Sequence, residues 1–296
     1  MNQTYKFLRN CINERIDNHI DDNIECLINV DETPCYIENP SKETIDIKGV
    51  KKVEIITYGK EKCRLTAILA ISASGEKLPP MLILKGKTGK KKENILNNLD
   101  LVKDKKIFVK CQDNSWCTAE LFKFWIKDIF IPYQNNIVKK KCLLIFDRAT
   151  THLTTEILDY LQFLNIKYVL IPAGFTRFLQ PLDVAINKPF KIGLKHKYLE
   201  FQQKNLEEIF QNKFSLKDEI IVKFIAEIWN DEKIIKRQTI IHSFLHCGIS
   251  QLLDGSQDEL FNWPDLELSF NAKNDIGNII NDSENINEEQ NFDELS

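Results

Sequence analysis

Nowhere does the chain contain a run of about 18 apolar residues, so no membrane-spanning helix is expected. Its opening stretch, MNQTYKFLRNCINERIDNHI, is amphipathic and lacks the apolar block of a secretory leader. No two of its eight cysteines (11, 26, 35, 63, 111, 117, 142 and 247) have CxxC spacing. They read as reduced thiols in the core of an intracellular protein rather than as a disulfide framework or a zinc site. There are no internal repeats. Basic residues are almost missing from the last stretch: between Ala272 and Ser296 seven acids face the single base Lys273. That tail carries −6 of a net charge of −3, which leaves +3 for the rest. A mildly basic body with an acidic tail leaves room for a polyanionic partner.

What is present is a core: 43% of the residues are hydrophobic and 18 are Phe. The stretch LLIFDRATTH (143–152) begins as a fully buried strand and stops at Asp147. CLINV (26–30), broken only by Asn29, ends at Asp31 in the same way. CRLTAILAIS (63–72), the turn signal Ser74-Gly75 and a strand over Met81–Leu84 read as an antiparallel pair. Thr118 is placed to cap a helix that runs to Pro132, and a second helix covers 154–164. A short strand, Tyr168–Ile171, precedes a long helix over 184–203, with further helices at 4–20, 216–229 and 233–247. Strands alternating with helices after an initial meander predict an α/β layer fold. The Asn-, Asp- and Glu-rich tail predicts disorder.

If the strands ending in Asp31 and Asp147 are neighbours, their tips lie about 5 Å apart. Ligands of open α/β sheets gather at such tips. Asp183, at the start of a helix after the final strand, can enter the same space. Three carboxylates at ~5 Å repel by roughly 3 kcal/mol per pair at an effective dielectric of about 20. A cation or bound protons must offset that. An all-oxygen set favours Mg²⁺ or Mn²⁺, and two such ions about 4 Å apart suit phosphoryl transfer. The bland alternative is that both strand-end Asp residues are turn formers.

NVDET (29–33), LLIFDRATTH (143–152) and LQPLDVAINKPFK (179–191) resemble the DDE superfamily endonuclease domain. More narrowly they are similar to the pogo, tigger and jerky group of transposases and their domesticated relatives, including centromere-binding protein B. GEKLPPMLILKG (75–86), NSWCTAELFKFWI (114–126) and CGISQLLDGSQDELF (247–261) follow in the family's order. The resemblance implies an RNase H-like fold, a mixed central sheet flanked by helices. It also implies a catalytic, metal-binding triad of Asp31, Asp147 and Asp183, with two Mg²⁺ or Mn²⁺ ions, DNA as partner and the nucleus as location. The implied activity is cleavage of DNA phosphodiesters and transfer of the freed strand. A domesticated or decayed nuclear protein that binds DNA or partners without catalysis is the alternative, and a homodimer is left open.

The resulting division is an N-terminal helix and linker (1–22), the DDE domain (23–205), a helical extension (206–270) and the acidic tail (271–296). Only 25 residues precede the first strand, so the family's helix-turn-helix domains are expected to be absent. DRATTH also departs from the commoner DN or DS after the second Asp.

Other residues carry two readings each. Lys87, Lys90 and Lys91, in the basic loop GKTGKKK (86–92), either grip DNA phosphates or are solvated. The loop is no Walker A motif, because the required first Gly is Met81. Arg148 and His152 either contact DNA or serve as a solvated side chain and a cap. Glu32 is expected on the face opposite Asp31. His242, His246 and Cys247 lack a fourth zinc ligand. Trp116, Trp125 and Trp229 are expected in the core.

Overall fold

The computed structural model describes residues 3–20, 23–36, 64–87, 90–149, 154–205 and 216–251. His152 and the acidic tail, two subjects of expectation above, lie outside the described residues.

Six strands form one mixed sheet in the order β4-β3-β2-β1-β5-β6. They are β1 (Leu27–Tyr36), β2 (Arg64–Ser72), β3 (Met81–Lys85), β4 (Phe108–Gln112), β5 (Leu143–Phe146) and β6 (Lys167–Leu170). The first three are antiparallel neighbours, and β4, β5 and β6 join in parallel. The Ser74-Gly75 turn joins β2 to β3 as expected. Gly75 takes φ +89, and a Cβ there would lie 2.3 Å from Arg237 Cγ, so both backbone and space require glycine. Leu143 to Phe146 and Leu27-Ile28 are completely buried, because β1 and β5 are interior strands with cover on both faces.

One face is covered by α4 (Ala119–Trp125) and α5 (Thr155–Phe163). Thr118 caps α4 and Thr154 caps α5, each accepting a hydrogen bond from a backbone N–H three residues on. Phe122 stacks on Trp125 at 5.6 Å and meets Phe146 of β5 at 5.8 Å, which fixes α4 on the sheet. Pro132 does not end this helix. The chain continues through π-helical segments Ile126–Phe130 and Tyr133–Val138 until Lys139 turns left-handed at φ 59. The wider π turn leaves room for a proline ring that would clash with the carbonyl four residues back.

The other face carries α6 (Thr176–Leu179), a π-helical segment Leu182–Ile186 and α7 (Asn187–Lys204). Beside them pack α8 (Asp218–Asn230) and α9 (Arg237–His246). Two short helices, α2 (Lys91–Asn97) and α3 (Asp100–Lys103), link β3 to β4. Helix α1 (Gln3–Asp17) lies by β6, and its buried Arg15 donates to the carbonyls of Ile249 and Gln251 at 3.2 and 2.9 Å. No described helix is long and apolar enough to cross a membrane. The seven described cysteines are buried, as expected.

Of the three tryptophans expected inside, Trp116 is 61% exposed, with the Arg64 guanidinium 4.6 Å from its ring centre. Trp125 and Trp229 are buried, but they differ in polarity. Trp229 Nε1 donates to the Leu78 carbonyl at 2.8 Å, whereas Trp125 Nε1 has no hydrogen-bond partner among the described residues. Trp229→Phe strands a buried carbonyl, and Trp125→Phe removes an unpaired donor. We expect Trp229→Phe to be the more destabilising by about 1–2 kcal/mol in urea unfolding; equal losses would refute this account.

Candidate active site

The strand register brings two acids together. Leu27, Ile28 and Asn29 of β1 pair in parallel with Leu143, Leu144 and Ile145 of β5. Carried two residues on, the same offset sets Asp31 opposite Asp147. Parallel neighbours in register share a face, so both carboxylates leave the sheet on one side. Asp147 Oδ1 accepts the Ala149 N–H at 3.1 Å, an Asx-type turn that orients the carboxylate where the strand ends.

Asp183 is delivered by a buried amide lock that the sequence reading missed. Asn29 Nδ2 donates to the Ile145 carbonyl and to Gln180 Oε1, both at 3.0 Å. Asn29 Oδ1 accepts the Leu182 N–H, and Gln180 Nε2 donates to the Val30 carbonyl, both at 3.1 Å. Asn29 and Gln180 are wholly buried. The lock pins LQPLD across β1, which runs on to Tyr36 rather than ending at Asp31 as expected, and across the end of β5; Asp183 enters the π-helical segment three residues after Gln180. An Asn that interrupts the apolar run CLINV is the visible signal.

Asn187, one helical turn after Asp183, ties the acids together. Its Nδ2 donates to Asp31 Oδ2 and to Asp183 Oδ1, both at 2.8 Å, so those two oxygens lie no further apart than twice that length. Its Oδ1 is buried without a hydrogen-bond partner among the described residues. Asp31 is 9% exposed, and its carboxyl is pushed up to about 7. Burial is the largest cause, and the charges of Asp183 and then Asp147 add to it. Hydrogen bonds from Asn187 and from the Glu32 backbone pull the other way without offsetting them.

This donor set is all oxygen, which suits a hard divalent cation. An orphaned amide oxygen beside two facing carboxylates fits the same kind of ion. As placed, no three Asp, Glu, His or Cys side chains among the described residues converge on one ion position. The Asn187 amide stands between two of the acids.

The other candidates are dispersed. Lys87, Lys90 and Lys91 are exposed beyond the tip of β3, two strands from β1. By register that tip is level with the end of β1, about 17 Å past Asp31, so the lysines are not part of the acid cluster. Arg148 is exposed and lines a cleft of about 470 Å³ with Asn10, Asn13, Glu14, Asp17 and Tyr168. Glu32 projects to the opposite face, as expected. There it meets Cys117, whose thiol is held above its ordinary pKa first by burial and then by Glu32. His242 pairs with Gln238 at 2.9 Å.

Two outcomes follow for the metal-free protein. Gln180→Leu leaves the Asn29 amide and the Val30 carbonyl short of partners. We expect a loss of about 2–4 kcal/mol in urea unfolding. Folded Asp31 keeps its proton up to about pH 7, while unfolded Asp releases it near 3.8. The group's contribution is therefore fully present below 3.8 and lost as pH rises through about 7. Wild type should lose on the order of 4 kcal/mol relative to Asp31→Asn across that window, and the variant should be the more stable near pH 8 in EDTA. A pH-independent difference would show that Asp31 is not so strained.

The family profile described as "DDE superfamily endonuclease" matches residues 62–244. The human "Pogo transposable element with KRAB domain" is 28% identical over 235 residues, 79% of this chain and 37% of its own length. The mouse "Jerky protein" is 24% identical over 182 residues, 58% of this chain and 29% of its own length. This chain thus spans well under half the length of either relative. Among solved structures, the "mariner Mos1 paired end complex with Mg" aligns with a TM-score of 0.43 at 16% identity, covering 84% of this chain and 63% of that one. The profile match spans more than half of the chain and includes both Asp147 and Asp183. The chain belongs to the DDE superfamily endonucleases, on a mixed sheet with flanking helices that agrees with the RNase H-like expectation.

Proposed function

We propose that this chain is a transposase-type catalytic domain that cuts DNA phosphodiesters and joins the freed 3′-hydroxyl to a target strand, using Mg²⁺ or Mn²⁺. The observation that carries this reading is the meeting of Asp31 and Asp183 on one amide, with Asp147 beside Asp31 in register. Mutual repulsion makes that arrangement unfavourable once all three acids are ionised, unless cations occupy it.

In this reading Asp31, Asp147 and Asp183 hold the ions. Bound divalent cations would supply Lewis acidity at the nucleophilic and leaving oxygens of the phosphodiester. The chain's own contribution is placement. The Asn29–Gln180 lock fixes the helix start that bears Asp183, and the Ala149 N–H aims Asp147. Burial of Asp31 limits screening by water at that carboxylate, while Asp147 is half-buried and Asp183 exposed. Lys87, Lys90 and Lys91 would hold DNA phosphates well away from the reacting bond, without reading sequence. Arg148 would contact a phosphate passing its cleft beside α1, away from the acid cluster. Work on chromosomal DNA would place the protein in the nucleus.

Supercoiled plasmid with Mn²⁺ tests this. Wild type should yield nicked circles, and Asp147→Ala should reduce nicking to background. Equal nicking by both proteins overturns the assignment. DNA binding without metal-dependent nicking by wild type would favour the non-catalytic alternative.

A further inference from the structure

Asn187 has more hydrogen-bonding capacity than the clamp between Asp31 and Asp183 uses. The residue is 5% exposed. Both observed bonds come from Nδ2, while Oδ1 is buried and unpaired among the described residues. A buried amide oxygen without a partner is costly. A permanent clamp between two acids would be better served by Lys or Arg, which would neutralise them. An amide cannot neutralise them, but it has a second face. Rotation about Cβ–Cγ exchanges Nδ2 and Oδ1 with no change in volume. Turned that way, Oδ1 would face two carboxylates. That is unfavourable on its own and favourable with a divalent cation between the three oxygens.

We propose that Asn187 is a neutral oxygen ligand of the divalent-metal site: its Nδ2 holds Asp31 and Asp183 at their spacing without metal, and its Oδ1 turns in to coordinate the ion. This rests on the reading of the acid cluster as a metal site. In metal-free protein the amide is a placeholder that keeps the two carboxylates near the geometry the ion needs. One residue thereby limits both their repulsion before loading and their rearrangement on loading.

The test is Mn²⁺ binding without DNA, followed by the electron paramagnetic resonance signal of free Mn²⁺ and by thermal shift. Asn187→Leu keeps the volume and removes the oxygen; binding should weaken about tenfold or more. Asn187→Asp keeps an oxygen but can no longer donate to the acids. It should melt lower than wild type in EDTA near neutral pH yet bind Mn²⁺ at least as tightly. A residue that is only a clamp predicts the opposite for Asn187→Asp, namely weakened binding. If wild type binds Mn²⁺, Asp31→Asn abolishes binding, and folded Asn187→Asp binds weakly or Asn187→Leu binds within about twofold of wild type, this proposal is wrong and the acid-cluster reading stands. If wild type shows no saturable binding, or Asp31→Asn leaves it intact, the acid-cluster reading itself fails. Should Asn187→Leu not fold, Asn187→Asp alone decides.

Discussion

A primary amide interrupts the apolar run that opens a central strand, and most of the active corner depends on what that amide bonds. Asn29 donates to the Ile145 carbonyl of the next strand and to Gln180 Oε1, and it accepts the Leu182 N–H. Each of these groups is out of contact with water, so each unmade bond would carry a desolvation penalty with nothing to offset it. The loop bearing LQPLD therefore has one low-energy seat. Asp183 is held by an interior network rather than by a surface loop, which is how a side chain can be kept within a fraction of an ångström of a working position.

The network also explains how the fold tolerates its own acids. Asp31 would rather be neutral near pH 7, and Asp183 and Asp147 both contribute to that. The strain is local, and it is opposed by strands whose neighbouring residues are completely buried on both faces. Such a site stores unfavourable charge in the metal-free state and releases it when a cation arrives. Loss of intrinsic stability at this corner is the counterpart of affinity for the ion.

Parts of this were legible from the residues alone and parts were not. CLINV and LLIF were readable as central strands because burial on both faces leaves continuous apolar runs, and each run stops at an acid. The short strand FVKCQ (β4) escaped notice because its burial alternates over only five residues after a lysine-rich turn. Helix α2 begins on lysines with no side-chain cap, so no start signal marked it. Pro132 suggested a helix end, and only the π turns around it show why it is not one. The acids were placed by motif, but the amides that position them were not. The value of Gln180 depends on Asn29, 151 positions away, and no local pattern reveals such a partner. Asn187 did carry a local sign, since it falls one turn after Asp183.

Arg15 bonds the carbonyls of Ile249 and Gln251, so the first helix and the last described residues are stitched together at one spot. That tie spans 234 positions of sequence, so α1 and the segment after α9 cannot loosen separately without leaving a buried guanidinium short of partners.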